Sequence, residues 1–148
     1  MHNFYLQKTF TLAKQSVQNR NHPFGALLVL DGRVVAESEN TVITDSDVTR
    51  HAELNLISNF SHRFTQEERN RITLYSSTEP CAMCTGAIIW SGIKKIVYGC
   101  SSDQLNRIAK GKFTIECRKI LDHSTETYKV EGPLLEQESS QLHLEFWK

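Results

Sequence analysis

Two short stretches of the 148-residue chain carry groups that can do chemistry together. Residues 79–84 read Glu-Pro-Cys-Ala-Met-Cys and set thiols at Cys81 and Cys84. Residues 51–53 read His-Ala-Glu and set an imidazole at His51 and a carboxylate at Glu53. Two thiolates and one imidazole are donors that a tetrahedral zinc ion takes, sulfur at about 2.3 Å and nitrogen at about 2.0–2.1 Å. Three protein ligands leave a fourth position open, as a catalytic site needs. A cation held there lowers the pKa of water from about 15.7 toward about 7. Glu53 is then the acid/base group, taking a proton and later returning it. A Cys-x-x-Cys pair alone fits a structural zinc site or a redox pair equally well; the His-x-Glu stretch decides for catalysis.

The spacing constrains the elements that must position these groups. Cys81 and Cys84 are three residues apart, which puts both on one side of a helical turn. They open a predicted helix over residues 81–91, where the positive end of the helix favours thiolates. His51 and Glu53 are two apart and share no lateral helix face. They fit if they stand at the start of a second helix, over residues 51–60, and point along its axis. The sequence therefore predicts two helix N-termini converging on one metal.

The rest of the chain supplies a scaffold of alternating strands and helices. Apolar residues Phe4, Leu6, Phe10, Ala13 and Val17 predict an amphipathic helix over residues 4–19. Residues 24–30 form an apolar run, Asp31-Gly32 is a hairpin signal, and residues 33–39 return as a partner strand. Residues 40–50 read as a loop and 61–70 as charged surface. Strands follow at 72–76, 95–100 and 128–131, with a short helix from residue 102 to about 110 and a C-terminal helix over 134–147. Gly92 ends the second helix of the site, and residues 113–122 have no decided form. Strand–helix alternation of this kind predicts an α/β layered sheet with helices on both faces, as a single domain over residues 1–148.

Composition narrows the function classes. Seventeen basic and seventeen acidic residues balance to zero net charge, whereas proteins that grip phosphate backbones carry a basic excess. No apolar run approaches the roughly 20 residues that span a bilayer. The N-terminus lacks a basic stretch followed by an apolar one, and four cysteines, two of them as Cys-x-x-Cys, fit metal work in a reducing compartment. These features place the protein in the cytoplasm.

His-x-Glu followed by Pro-Cys-x-x-Cys is the known signature of zinc deaminases, and these residues make the chain resemble the cytidine deaminase superfamily. Asn40 stands eleven residues before His51, and Cys81 thirty after it, as in the cytosine, guanine and tRNA-adenosine deaminase branches. Pro23-Phe24-Gly25-Ala26 is similar to the first strand of guanine deaminases. Residues 84–89, Cys-Thr-Gly-Ala-Ile-Ile, are similar to the fungal cytosine deaminase helix, and Trp90 to the guanine branch. The resemblance covers residues 1 to about 110. It implies a three-layer α/β/α sandwich around a five-stranded mixed sheet, a homodimer, and one Zn2+ per chain held by His51, Cys81 and Cys84, with Glu53 catalytic. It implies that Asn40 and the backbone of Ala52, Cys81 and Glu79 contact the substrate base, and that Phe24 lines the pocket. A Phe-Asp-Asp segment that gives guanine deaminases a base-contacting acid has no match; Ser101-Ser102-Asp103-Gln104 stands near its place. In the aromatic tail, Glu145 and Trp147 are candidates to reach the substrate.

Each residue has a plainer reading. Glu53 could be a solvated helix residue and Asn40 a turn residue; their spacing from the motif favours site roles. Phe24 divides evenly between core and pocket wall, and Trp90 fits core or a dimer contact. Cys100 and Cys117 read as ordinary, partly buried thiols, and His22, His62, His123 and His143 have no partner spacing. The reading that follows is hydrolytic deamination of a free nucleobase or nucleoside, guanine favoured. The alternatives are a tRNA adenosine deaminase, a cytosine deaminase, and an inactive zinc-stabilised binding module.

Overall fold

A computed structural model describes residues 1–148. Helix α1 (His2–Gln18) leads to the hairpin β1 (Gly25–Leu30) and β2 (Arg33–Glu39). Asp31 and Gly32 join them, both at positive φ (50° and 77°), the two-residue turn whose twist suits a hairpin. Helices α2 (Ala52–Phe60) and α3 (Gln66–Arg71) precede β3 (Thr73–Thr78). Then come α4 (Ala82–Ser91), β4 (Lys95–Cys100), α5 (Ser102–Ala109), α6 (Cys117–Leu121), β5 (Lys129–Glu131) and α7 (Glu136–Phe146).

The sheet runs β2-β1-β3-β4-β5. β1 is antiparallel to both neighbours, while β3, β4 and β5 are parallel. Alternation along β1 explains its unbroken apolar run. Ala26 and Leu28 enter one core with Ala52, Leu56 and Ile88 of α2 and α4. Leu27 and Val29 enter another with Leu6 and Phe10 of α1 and Leu142 of α7. A strand covered on both faces has no polar side to show. The result is the expected α/β/α sandwich around a five-stranded mixed sheet. A Cβ at Gly25 would lie 2.5 Å from the Thr9 carbonyl oxygen, so only glycine lets α1 approach the sheet here.

Several local expectations change. The stretch 61–70 holds the start of α3, closed by a capping box: Thr65 Oγ1 accepts from the Glu68 N–H at 3.1 Å and Thr65 N–H donates to Glu68 Oε1 at 2.9 Å. Its Thr-x-x-Glu signature was readable in the sequence; charge density masked it. The undecided residues 113–122 contain α6. Cys100 and Cys117 are fully buried rather than partly so, and Trp90 is 90% exposed, which removes the core reading for that residue.

Candidate active site

The helices that carry the motif begin one residue later than the spacing predicts, and that shift builds the site. His51 is the N-cap of α2 and Cys81 the N-cap of α4, both with extended backbone (ψ 155° and 177°). At an N-cap the side chain turns back over the helix end, where Ser, Thr or Asp would bond the free N–H groups. Neither residue makes such a bond. Instead His51 Nδ1 lies 3.5 Å from Cys81 Sγ across the two helix starts. Cys84, in the first turn of α4, completes a cluster whose donor atoms all lie within 4.8 Å of one another.

The electrostatics of the cluster call for a cation. Cys84 donates a hydrogen bond to Cys81, which holds the Cys81 thiol down at about 4; the same bond and burial push Cys84 up. A hydrogen bond donated by His51 to the Cys81 sulfur raises His51 against the opposing effect of burial. Glu53, in the first turn of α2, is 4% exposed. Burial, then the negative charge of Cys81, pushes its carboxyl up to about 7, and it lies within hydrogen-bonding reach of Cys84. Buried anions without a counter-charge are costly. One divalent, thiophilic ion among His51, Cys81 and Cys84 removes that cost, so the donor set fits zinc. Glu53 is then beside the metal without being needed as a ligand.

Beside this cluster lies a cavity of about 290 Å³, lined by His51, Cys81, Ala82, Asn40, Phe24 and Glu79 among others. Asn40 is 1% exposed, and its Oδ1 accepts from the Val42 N–H at 3.0 Å. That bond fixes the amide orientation and leaves the NH2 group, a donor, for the cavity. Phe24 therefore stands in the wall, though it also packs on the core. Ala52 does not line the cavity: its side chain is fully buried in the core, and only its backbone at the start of α2 remains to offer.

Glu79 lines the cavity, and both its backbone and its side chain are engaged. Its N–H donates to the Cys100 carbonyl at 2.7 Å. Its two carboxylate oxygens accept from the N–H of Ser102 at 2.9 Å and of Cys117 at 2.7 Å, the first residues of α5 and α6. A carboxylate at two helix starts is favoured by both dipoles. The side chain is thus a staple between the metal-binding loop and the far side of the cavity.

Residues 1–100 match the family described as the cytidine and deoxycytidylate deaminase zinc-binding region. The chain belongs to this deaminase family. It is 34% identical over 148 residues to a probable cytosine deaminase of Schizosaccharomyces pombe, covering 97% of this chain and 90% of that protein. It is 39% identical over 98 residues to guanine deaminase of Bacillus subtilis, covering 66% and 63%. A solved structure from a study of A-to-I editing by tRNA:A34 deaminases superposes with a TM-score of 0.78 at 30% identity, over 95% of this chain and 99% of that one. The protein is a zinc-dependent deaminase, a hydrolase of the C–N bond of a base or nucleoside.

Most of the far wall of this deaminase's cavity escaped the sequence. It comprises Leu105, Asn106 and Ala109 of α5, Phe113, Thr114 and Ile115 of the following loop, His22, and Trp147. Of the two tail candidates, Trp147 reaches the cavity. Glu145 does not; it borders separate depressions beside Lys14 and Leu142. Ser102 lines the cavity where Asp103 does not. His22 was readable only through its neighbours, two residues before Phe24.

Proposed function

We propose that the enzyme deaminates a free nucleobase or nucleoside, with guanine favoured, as one deaminase domain over residues 1–148. The observation that carries this reading is a small cavity beside the metal cluster whose wall includes the chain's own Trp147, with Asn40 as a donor inside it. At about 290 Å³ the cavity lies at the small end of sites for small molecules, about 300–1,000 Å³. Guanine and cytosine offer a carbonyl acceptor to the Asn40 NH2 group, and adenine only ring nitrogens. Phe24 in the wall and the 39% identity to a guanine deaminase support guanine; the 34% identity to a probable cytosine deaminase keeps cytosine as the second reading. Zero net charge gives no electrostatic grip for RNA.

In the proposed site, zinc when bound supplies the Lewis acidity that makes water a nucleophile near neutral pH. His51, Cys81 and Cys84 hold it. Glu53 takes the proton from the attacking water, gives it to the ring nitrogen beside the reacting carbon, and carries a second proton to the departing amine. Water adds its oxygen to the ring, the C–N bond breaks, and ammonia leaves behind a carbonyl. Asn40 holds the base in register, the backbone of Ala52, Cys81 and Glu79 borders its edge, and Phe24 meets its face.

The same reading includes a cytoplasmic homodimer. No helix is long and apolar enough to cross a membrane. On the outer side of α4, Met83 and Trp90 are 37% and 90% exposed, and aromatic and Met side chains are enriched where proteins associate. The test is ammonia release by zinc-loaded protein from guanine, cytosine, adenine, their nucleosides and an anticodon stem-loop. Release from guanine alone supports the first reading, from cytosine alone the second. Inosine appearing only in the RNA would overturn both, and a zinc-replete protein that releases nothing would be a binding module.

A further inference from the structure

His143 lies on α7, fully buried, and takes no part in the reaction just described. Its ring is occupied at both nitrogens. Trp147 Nε1–H donates to Nδ1 at 3.1 Å, and Nε2 lies 2.7 Å from Thr78 Oγ1. An indole N–H can only donate. Nδ1 must therefore carry the lone pair, and in the neutral ring the proton sits on Nε2 and points at Thr78. Thr78 is the last residue of β3, next to the Glu79 staple. The imidazole also packs on Phe24, ring centroids 5.1 Å apart. One buried ring thus touches two cavity-wall residues from opposite ends of the chain.

We propose that His143 is a positioning residue: a neutral latch that ties Trp147 to the end of β3 and fixes the aromatic wall against which the base packs. The latch decides how Trp147 presents itself. With its N–H engaged, the indole offers the cavity a ring surface and no donor. His22, also in the wall, packs against the indole with ring centroids 5.1 Å apart. Without the bond, the indole of Trp147, the residue after the end of α7, is held by ring contacts alone, while its backbone N–H still donates to the His143 carbonyl at 2.9 Å. The functional consequence rests on the reading of this cavity as the base site; the latch itself does not.

Two measurements on the zinc-loaded protein test the proposal. In solution NMR, the indole N–H lost in Trp147→Phe belongs to Trp147; it should exchange slowly in the wild type. The His143 15N shifts should show a protonated Nε2 and a bare Nδ1. In His143→Gln, whose amide reaches the Nε2 position and leaves Trp147 without an acceptor, exchange should be at least about tenfold faster, the loss of one buried hydrogen bond. KM for the base should rise about tenfold with kcat changed much less. His143→Asn places an acceptor near Nδ1 and should restore both. A core histidine with no role at the site would lower stability in all variants without the KM rise or the Asn rescue. A proton on Nδ1, or equally slow Trp147 exchange in His143→Gln, would overturn the latch. Should the variants not fold, the wild-type tautomer and exchange rate still decide it. If the wild type releases ammonia from no base, the proposed activity fails while the NMR result stands by itself.

Discussion

The two sides of the cavity are built in opposite ways. The metal side comes from two short stretches, 51–53 and 79–84, each set at a helix start, so that a few adjacent residues bring the candidate metal ligands and Glu53 together. The opposite wall gathers His22, α5, the loop at 113–115 and Trp147, segments spread over most of the chain and joined through Glu79 and His143. The difference teaches a division of labour. Chemistry here needs fixed distances among few atoms, which local sequence can guarantee. Recognition needs shape, which only the assembled fold supplies.

The comparison makes graded predictions. The largest effects belong to the metal side. Cys84→Ala should lose zinc and with it all measurable turnover, read by metal analysis and ammonia release; full zinc occupancy in this variant would break the assignment. Asn40→Ala sits between the two sides. It should keep zinc and lower kcat/KM by about 10–100-fold, the worth of one buried hydrogen bond of about 1–3 kcal/mol. Glu79→Gln reaches from one side to the other. Removing the charge that two helix starts share should lower stability by about 1.5–3 kcal/mol in denaturant melts and raise KM more than it lowers kcat. A loss confined to kcat would place Glu79 in the reaction instead.

The last effect concerns pH and is nearly silent at neutral pH. Burial alone pulls His143 down to about 4 from an ordinary 6.5. In the unfolded chain the ring takes its proton below about 6.5, while in the fold it stays neutral until about 4. The unfolded state therefore binds more protons in that window, and stability falls as pH drops through it. The total is on the order of 3 kcal/mol. His143→Phe should flatten this part of the stability–pH curve. Parallel curves for the two proteins would show that the ring is not held neutral.

How much could be read in advance follows the same line. The His-Ala-Glu and Cys-Ala-Met-Cys spacings foretold converging helix starts because N-cap geometry is local. The sheet was legible because β1 has no polar face and Asp31-Gly32 marks its turn. Trp147 was legible as an aromatic tail residue able to reach the substrate, but nothing near it in sequence says that it packs against His22, more than a hundred residues earlier. His143 was passed over although Trp147 stands four residues on, the spacing of neighbours on a helix; its other partner, Thr78, is 65 residues away. Glu79 was placed by its backbone, because only the fold brings Ser102 and Cys117 to its carboxylate.

The most direct test of the division is Glu53→Gln, which alters one proton-carrying oxygen and leaves the metal ligands intact. Zinc content and ammonia release should be measured on this variant and the wild type side by side, on the substrate the panel selects. The expected result is one zinc per chain in both and turnover reduced by about 10²–10⁴-fold in the variant, with KM nearly unchanged. Near-normal turnover with zinc in place would contradict the assignment of the proton transfers to Glu53.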